Sequence, residues 1–372
     1  MRIMMFTGSL QVGGAERMHA SLAAMFAERG HDVTFVTLDT GRDAPEIRSL
    51  LGDIPCRAVL AKPRPHPLRL MQIRGAWRPL RRMLLELQPD VVYAVLDWAN
   101  WLAVRAATDL EGGPPVVIGV ASGSAPARWA RRIADDLLAK SRPTEGLIAN
   151  SSVGLETSHT RGIYARDERV IHSGIDANYF RPEPVAAAHI RREFDLSDNA
   201  VLVGHVGRLH PVKDHSLLLA AFAAMPRSAR LLCVGSGALA YASKLRKLAA
   251  TLGVADRVTW WQRHEHLPAV YSAIDILALP SHSEGCPNVV MEAMACGTPC
   301  VVAAVGAAPK IVGDTGVVVR DRQPASLAAA IANIPQGPSC RARIVAEFTI
   351  DRCVDQTLAF LQEIAGRAKT PH

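Results

Sequence analysis

A chain of 372 residues with 49% apolar, 21% charged and 5% aromatic side chains can bury two cores of ordinary size, and its composition excludes disordered, collagen-like and low-complexity polypeptides. The formal charge of +7 is shared between the two halves, so there is no cationic arm of the kind that grips nucleic acid. Seven cysteines without a Cys-x-x-Cys spacing, no run of 18 apolar residues, and an early break into Gly and charge in MRIMMFTGSLQVGGAER predict a cytoplasmic protein with neither signal peptide nor membrane span.

Residues 2–7 (RIMMFT) read as a strand ending at Gly8. After the loop LQVGGA a helical pattern runs from Glu16 to about Glu28, Gly30 stops it, and DVTFVTL is the next strand. Gly13 and Gly14 put backbone N–H groups at a helix start, which suits an anion or simply a turn, and with no Gly-Lys-Ser/Thr following, the loop is not a P-loop. Between Arg57 and Arg82 lie eight basic residues (Arg57, Lys62, Arg64, Arg69, Arg74, Arg78, Arg81, Arg82) and no acid. Leu70, Ile73, Trp77 and Leu80 recur there at helix-like intervals, although Pro79 argues against one uninterrupted helix. The patch fits either an interface with anionic lipid or a plain solvated surface. Further strands are expected at DVVYAVL (90–96), PVVIGVA (115–121), GLIANS (146–151) and RVIHSG (169–174), with helices between them, which makes the sheet parallel.

From 174 to 200 the text turns polar and aperiodic, with two prolines, and marks a domain boundary. A second series follows: AVLVGHVG, ARLLCVGSG, RVTWWQ, DILALPS and PCVVAAVG are five strands alternating with helices, a second doubly wound unit. The expected organisation is therefore α/β, with Rossmann-like domains at 1–178 and 179–350, and a last helix within 351–372, roughly Asp351 to Ala365, packing back on the first domain.

Several motifs in the second half carry chemistry. The segment Gly235–Ala240 (GSGALA) matches a relaxed dinucleotide fingerprint, but the nearest acid, Asp256, precedes the following strand instead of ending it, so turn chemistry is favoured over NAD. Between Leu279 and Pro299 a strand ends at Pro280, a loop carries Glu284 and Gly285, and a helix starting near Pro287 carries Glu292. Helix-start N–H groups hold phosphate, and each carboxylate can accept hydroxyl hydrogen bonds from a sugar. Gly207-Arg208 ends the strand LVGHVG and Lys213 follows, offering a forked cation and a point cation to phosphate, or an ordinary surface salt bridge. His264 and His266 flank Glu265 but lack a third ligand, so solvated loop residues are expected, and Cys286, Cys296 and Cys300 read as packing residues, not zinc ligands. Trp260 and Trp261, adjacent on a strand, face opposite sides.

Taken together, GGAER, VIHSGIDANYF, HVGRLHPVKD, VGSG, YSAIDILALPS and SEGCPNVVMEAMACGTP resemble a retaining glycosyltransferase of family 4, in order and over nearly the whole chain. The resemblance implies the GT-B fold of two Rossmann-like domains, the first on the acceptor side and the second binding a nucleotide sugar. It implies that Arg208 and Lys213 bind the donor's diphosphate, Glu284 the sugar hydroxyls and Glu292 the ribose. Gly207, Gly285, Cys286, Asn288 and Val289 line the donor, and Gly13 and Gly14 approach it from the other domain. It further implies a UDP- or GDP-linked donor sugar, a glycan or lipid-linked acceptor in bacterial polysaccharide, lipopolysaccharide or glycolipid assembly, and a cytoplasmic protein able to meet the inner face of the membrane. No Asp-x-Asp triplet occurs, so no metal is expected and protein cations take its place.

The chain departs from the family pattern in several places. Where members often carry a histidine near the donor sugar, it has VYAVLDWAN and GVASGSAPARW, which put Asp97, Ser122 and Ser124 in that region. Gln262 stands for the usual Gly after a strand, Lys310 for an acid, and Ser173 for Asn. A sugar-nucleotide epimerase or hydrolase on the same fold, or a catalytically silent binding protein, are the alternative readings.

Overall fold

The computed structural model describes residues 1–10, 13–39, 44–60, 68–108, 110–120, 129–141, 144–194, 200–334 and 339–368. The chain divides into two compact units, Met1–His172 with Cys353–His372, and Ser173–Arg352.

The first unit holds seven parallel strands, β1 (Arg2–Thr7), β2 (Asp32–Asp39), β3 (Cys56–Leu60), β4 (Val91–Val95), β5 (Val116–Val120), β6 (Thr144–Ala149) and β7 (Ala165–Val170). They lie in the order β3-β2-β1-β4-β5-β6-β7, which reverses direction between β1 and β4. The central strands are near-continuous apolar runs because helices cover both faces. The helix Gly14–Glu28 buries Leu22, Ala23 and Phe26, and on the other face Trp77–Leu87 buries Leu80 and Leu84. The basic segment forms two helices, Leu68–Gly75 and Trp77–Leu87. Pro79 falls in the first turn of the second, where a missing N–H leaves no intrahelical bond unmade.

Two edge strands depart from the sequence expectation. The short strand β3 has an arginine at its second position and no strong apolar signal. The last strand is ARDERV at Ala165–Val170, not RVIHSG, and its charges are matched by the C-terminal helix Ile350–Ala368. Arg169 reaches Glu363 at 2.5 Å and lies over the Phe360 ring at 4.8 Å, and Arg367 reaches Asp167 at 2.6 Å. A charged strand is at home on an edge that a helix covers.

The second unit is a six-stranded parallel sheet of β8 (Leu202–Val206), β9 (Arg230–Val234), β10 (Val258–Trp261), β11 (Ile276–Leu279), β12 (Cys300–Ala303) and β13 (Val317–Val319), ordered β10-β9-β8-β11-β12-β13. Three-residue β13 escapes a period-based reading. Trp260 and Trp261 pack into cores on opposite faces. The GSG motif is structural: a Cβ on Gly235 would lie 1.9 Å from the Gly207 carbonyl oxygen, and one on Gly237 2.1 Å from that of Leu209. These glycines let the ends of β8 and β9 touch through backbone. Order reverses between β8 and β11, and in open parallel sheets ligands bind at such a reversal.

Candidate active site

Two loops leave the carboxyl ends of β8 and β11, and a clamp joins them. Asp214 caps the helix His215–Ala223, its Oδ1 accepting from the Leu217 amide at 3.1 Å. Its Oδ2 accepts from Arg322, whose Nη1 also donates to the Ser281 carbonyl at 2.9 Å and Nη2 to that of Pro280 at 3.1 Å. The His282 amide donates to the Val212 carbonyl at 2.7 Å. Asp214 and Arg322 both hold left-handed backbone, at φ 49° and 51°, a strain of about 1 kcal/mol or more each that the clamp maintains.

That clamp brings Lys213 to Glu284. The ammonium donates to Glu284 Oε1 at 2.7 Å, with side-chain exposures of 16% and 12%. The backbone of Glu284 and Gly285 rests on the turn after β12: the Ala307 amide donates to the Gly285 carbonyl at 2.7 Å. Gly306, at φ +55°, admits this approach because a Cβ would lie 2.3 Å from the Glu284 oxygen.

The helix Asn288–Ala295 starts directly beyond the loop, with Pro287 at its N-cap and no side-chain cap. Among the described residues its first-turn amides therefore lack a side-chain acceptor, the arrangement that attracts anions. Gly285, Cys286, Asn288 and Val289 are half-buried around this start. One turn in, Glu292 is 7% exposed and its Oε2 accepts from the Tyr271 hydroxyl at 2.6 Å. Arg208, on the loop beside Gly207, is exposed and makes no ion pair among the described residues. Ammonium, guanidinium, two carboxylates and a helix start thus belong to one end of one sheet, a set able to bind a diphosphate and hydroxylated rings.

Beneath Lys213 two buried histidines pack edge to face, the rings of His205 and His215 4.4 Å apart. His205 Nδ1 bonds the Ala278 carbonyl at 2.9 Å, while its Nε2 and both nitrogens of His215 have no hydrogen-bond partner among the described residues. Burial, helped by Lys213 in both and by His215 in the case of His205, lowers them to about 3 and about 4, so both are neutral and add no positive charge beside the ammonium.

The remaining sequence candidates fall elsewhere. Gly13 and Gly14 belong to the first unit, where Gly13 is the N-cap of Gly14–Glu28 and Glu16 folds against it: a Cβ on Gly13 would lie 2.1 Å from Glu16 Oε2. Asp97 opens a helix after β4, behind Leu96, which holds φ +82°. Ser122 and Ser124, like Lys62, Arg64 and the side chain of Arg69, lie outside the described residues. His264 and His266 are not simply solvated: His266 bonds Glu183 at 2.5 Å and His264 stacks on Trp261 at 5.2 Å. Among the described residues no three His, Cys, Asp or Glu side chains form a metal-binding group. The sequence reading missed Asp214, Arg322, Tyr271 and the two histidines as parts of this site. Only Asp214, a helix-capping residue type directly after Lys213, carried a local signal.

The profile described as Glycosyltransferase Family 4 matches residues 12–179, and that described as Glycosyl transferases group 1 matches residues 200–336. A D-inositol 3-phosphate glycosyltransferase of Actinosynnema mirum is 30% identical over 95% of this chain and 92% of its own length. The chain belongs to glycosyltransferase family 4. Another relative, a D-inositol 3-phosphate glycosyltransferase of Segniliparus rotundus, is 38% identical over 59% of this chain, which spans about half (51%) of that relative's length. The GT-B fold of the family is seen in Anabaena Alr3699/HepE, solved in complex with UDP, which superposes with a TM-score of 0.81 over 98% of this chain and 100% of its own, at 24% identity.

Proposed function

We propose that this family 4 enzyme transfers a sugar from a nucleoside diphosphate sugar to a hydroxyl acceptor, with retention at the anomeric carbon and without an essential metal. The Lys213–Glu284 contact at the β8–β11 reversal, beside an uncapped helix start, carries the reading. As the bond from the anomeric carbon to the diphosphate breaks, the growing negative charge falls to Arg208, Lys213 and the amides of Gly285, Cys286, Asn288 and Val289. Removing one such donor costs on the order of 3 kcal/mol in barrier. Glu284 accepts from the sugar hydroxyls and Glu292 from the ribose, while Gly207 keeps the backbone low beside the phosphates. UDP is the first donor nucleotide to test, since the Anabaena neighbour was solved with it. Inositol phosphate stands beside glycans and lipid-linked sugars as an acceptor class, since the relatives carry that name.

Calorimetric titration with UDP, GDP and ADP tests the donor half. One of them binds, and Arg208→Ala and Lys213→Ala each weaken it at least tenfold. No binding at millimolar nucleotide overturns the proposal. Product analysis with and without acceptor separates transfer from hydrolysis or epimerisation, and a chain that turns over nothing is a silent binding protein.

A second reading concerns the basic segment. Met71 and Leu85 are 72% and 59% exposed, and Arg74, Arg78 and Arg82 are exposed with them, a face suited to anionic lipid at the inner surface of a membrane. Part of the charge is used internally, since Arg57 pairs with Glu86 at 2.7 Å and Arg78 lies over the Trp77 ring at 5.4 Å. Among the described residues no helix is long and apolar enough to cross a membrane. Co-sedimentation with phosphatidylglycerol vesicles, lost in Arg74→Glu/Arg78→Glu, supports this contact, and equal sedimentation with phosphatidylcholine overturns it.

A further inference from the structure

We propose that Tyr271 is a positioning residue that holds the Glu292 carboxylate ready for the nucleoside ribose, an inference that rests on the ribose role given to Glu292 above. Tyr271 lies in the helix Leu267–Ala273 and is fully buried, its ring tilted against Phe180 at 6.2 Å. Its backbone is pinned as well, the Thr298 hydroxyl donating to its carbonyl at 2.5 Å. For packing alone phenylalanine would serve. The hydroxyl is instead spent on Glu292 Oε2 at 2.6 Å. Burial, then the neighbouring carboxylate, holds the phenol well above its usual range, so it stays a donor throughout the working pH range.

A glutamate side chain has three rotatable bonds, and a free one loses entropy on meeting a diol. Fixing one oxygen with a charge-assisted bond removes that cost in advance. A carboxylate has about four lone-pair sites, so accepting from Tyr271 leaves capacity for both ribose hydroxyls. Tyr271 therefore acts on the ribose through Glu292 and makes no contact with the reacting atoms.

The test is a cycle read by calorimetry, with UDP (or GDP, if that is the nucleotide selected above) and its 2′,3′-dideoxy analogue as probes, on the full chain. The wild type prefers the ribonucleotide by about tenfold or more, the worth of hydrogen bonds to a charged group. Tyr271→Phe binds the ribonucleotide at least fivefold more weakly yet the dideoxy analogue within twofold of wild type, and adds nothing further in a Glu292→Gln background. Equal weakening of both probes, or no change in either, overturns the proposal, because it makes Tyr271 a packing residue. A wild type that does not distinguish the probes refutes the ribose role of Glu292 itself, and the proposal with it. If Tyr271→Phe does not fold, Glu292→Asp carries the test: it keeps the charge but withdraws it from the phenol by one methylene. It too loses the preference for the ribonucleotide, and retention of the full preference overturns the inference.

Discussion

Replacing Lys213 by Met keeps the length of the side chain but leaves the Glu284 carboxylate, 12% exposed, without its cation. At the observed 2.7 Å and an effective dielectric near 20, the direct attraction is about 6 kcal/mol. Desolvation of both ions consumes much of it, and truncating one member of such a pair costs about 3–5 kcal/mol. Lys213→Met and Glu284→Gln are each expected to destabilise the second unit by about 3 kcal/mol, and the double variant by little more than either alone. The coupling is then about 2–4 kcal/mol. With two units the chain is not a two-state system, so the measurement is native-state hydrogen exchange at the amides of β8 and β11, which reports opening of this unit alone. Single effects that add to within about 0.5 kcal/mol would mean that the pair is a solvated salt bridge and that the clamp does not isolate it from water.

His205 and His215 are neutral in the folded unit, with pKa values of about 3 and about 4, but take up protons near pH 6.5 once unfolded. The unfolded chain thus binds more protons, so stability is full above pH 6.5 and falls below it by about 1.4 kcal/mol per pH unit for each histidine, until their native values are reached; urea unfolding between pH 7.5 and 5 shows this, and His205→Phe/His215→Leu flattens it. Gly306→Ala, whose methyl meets the Glu284 carbonyl at 2.3 Å, costs at least about 2 kcal/mol and weakens nucleotide binding; Gly253→Ala, at φ +68° with nothing within 4 Å, costs about 1 kcal/mol and leaves binding intact. Ending the chain after Arg352 removes the buried Val354, Leu358, Phe360, Leu361 and Ile364, at about 1.5–3 kcal/mol each. This exceeds the margin of an ordinary domain, and loss of soluble expression is the readout.

What the sequence disclosed depended on how local the cause was. β4 and β11 are wholly buried, so they read as apolar runs. Glu284 and Glu292 drew notice because apolar residues flank charges at a strand-to-helix junction. By contrast, β7 is specified by what covers it: Asp167 and Arg169 make sense only beside Arg367 and Glu363, which are 200 and 194 residues away. Tyr271 and Glu292 are 21 residues apart, and Arg322 is 108 from Asp214. No period or motif links such pairs, since their geometry exists only after the sheet has ordered its strands. The buried histidines were hidden for another reason: a polar side chain in LVGHV looks like an interruption of the core until burial is seen to strip its charge.

The guanidinium of Arg322 has a practical consequence for redesign. It grips carbonyls of the segment after β11 and the carboxylate of the segment after β8 at once, so the gap separating cation from acid belongs to neither segment alone. Importing a relative's sugar preference by transplanting residues 280–287 alone leaves the graft moored to a foreign anchor. A chimera that keeps turnover must carry residues 207–214, 280–287 and the anchoring arginine together.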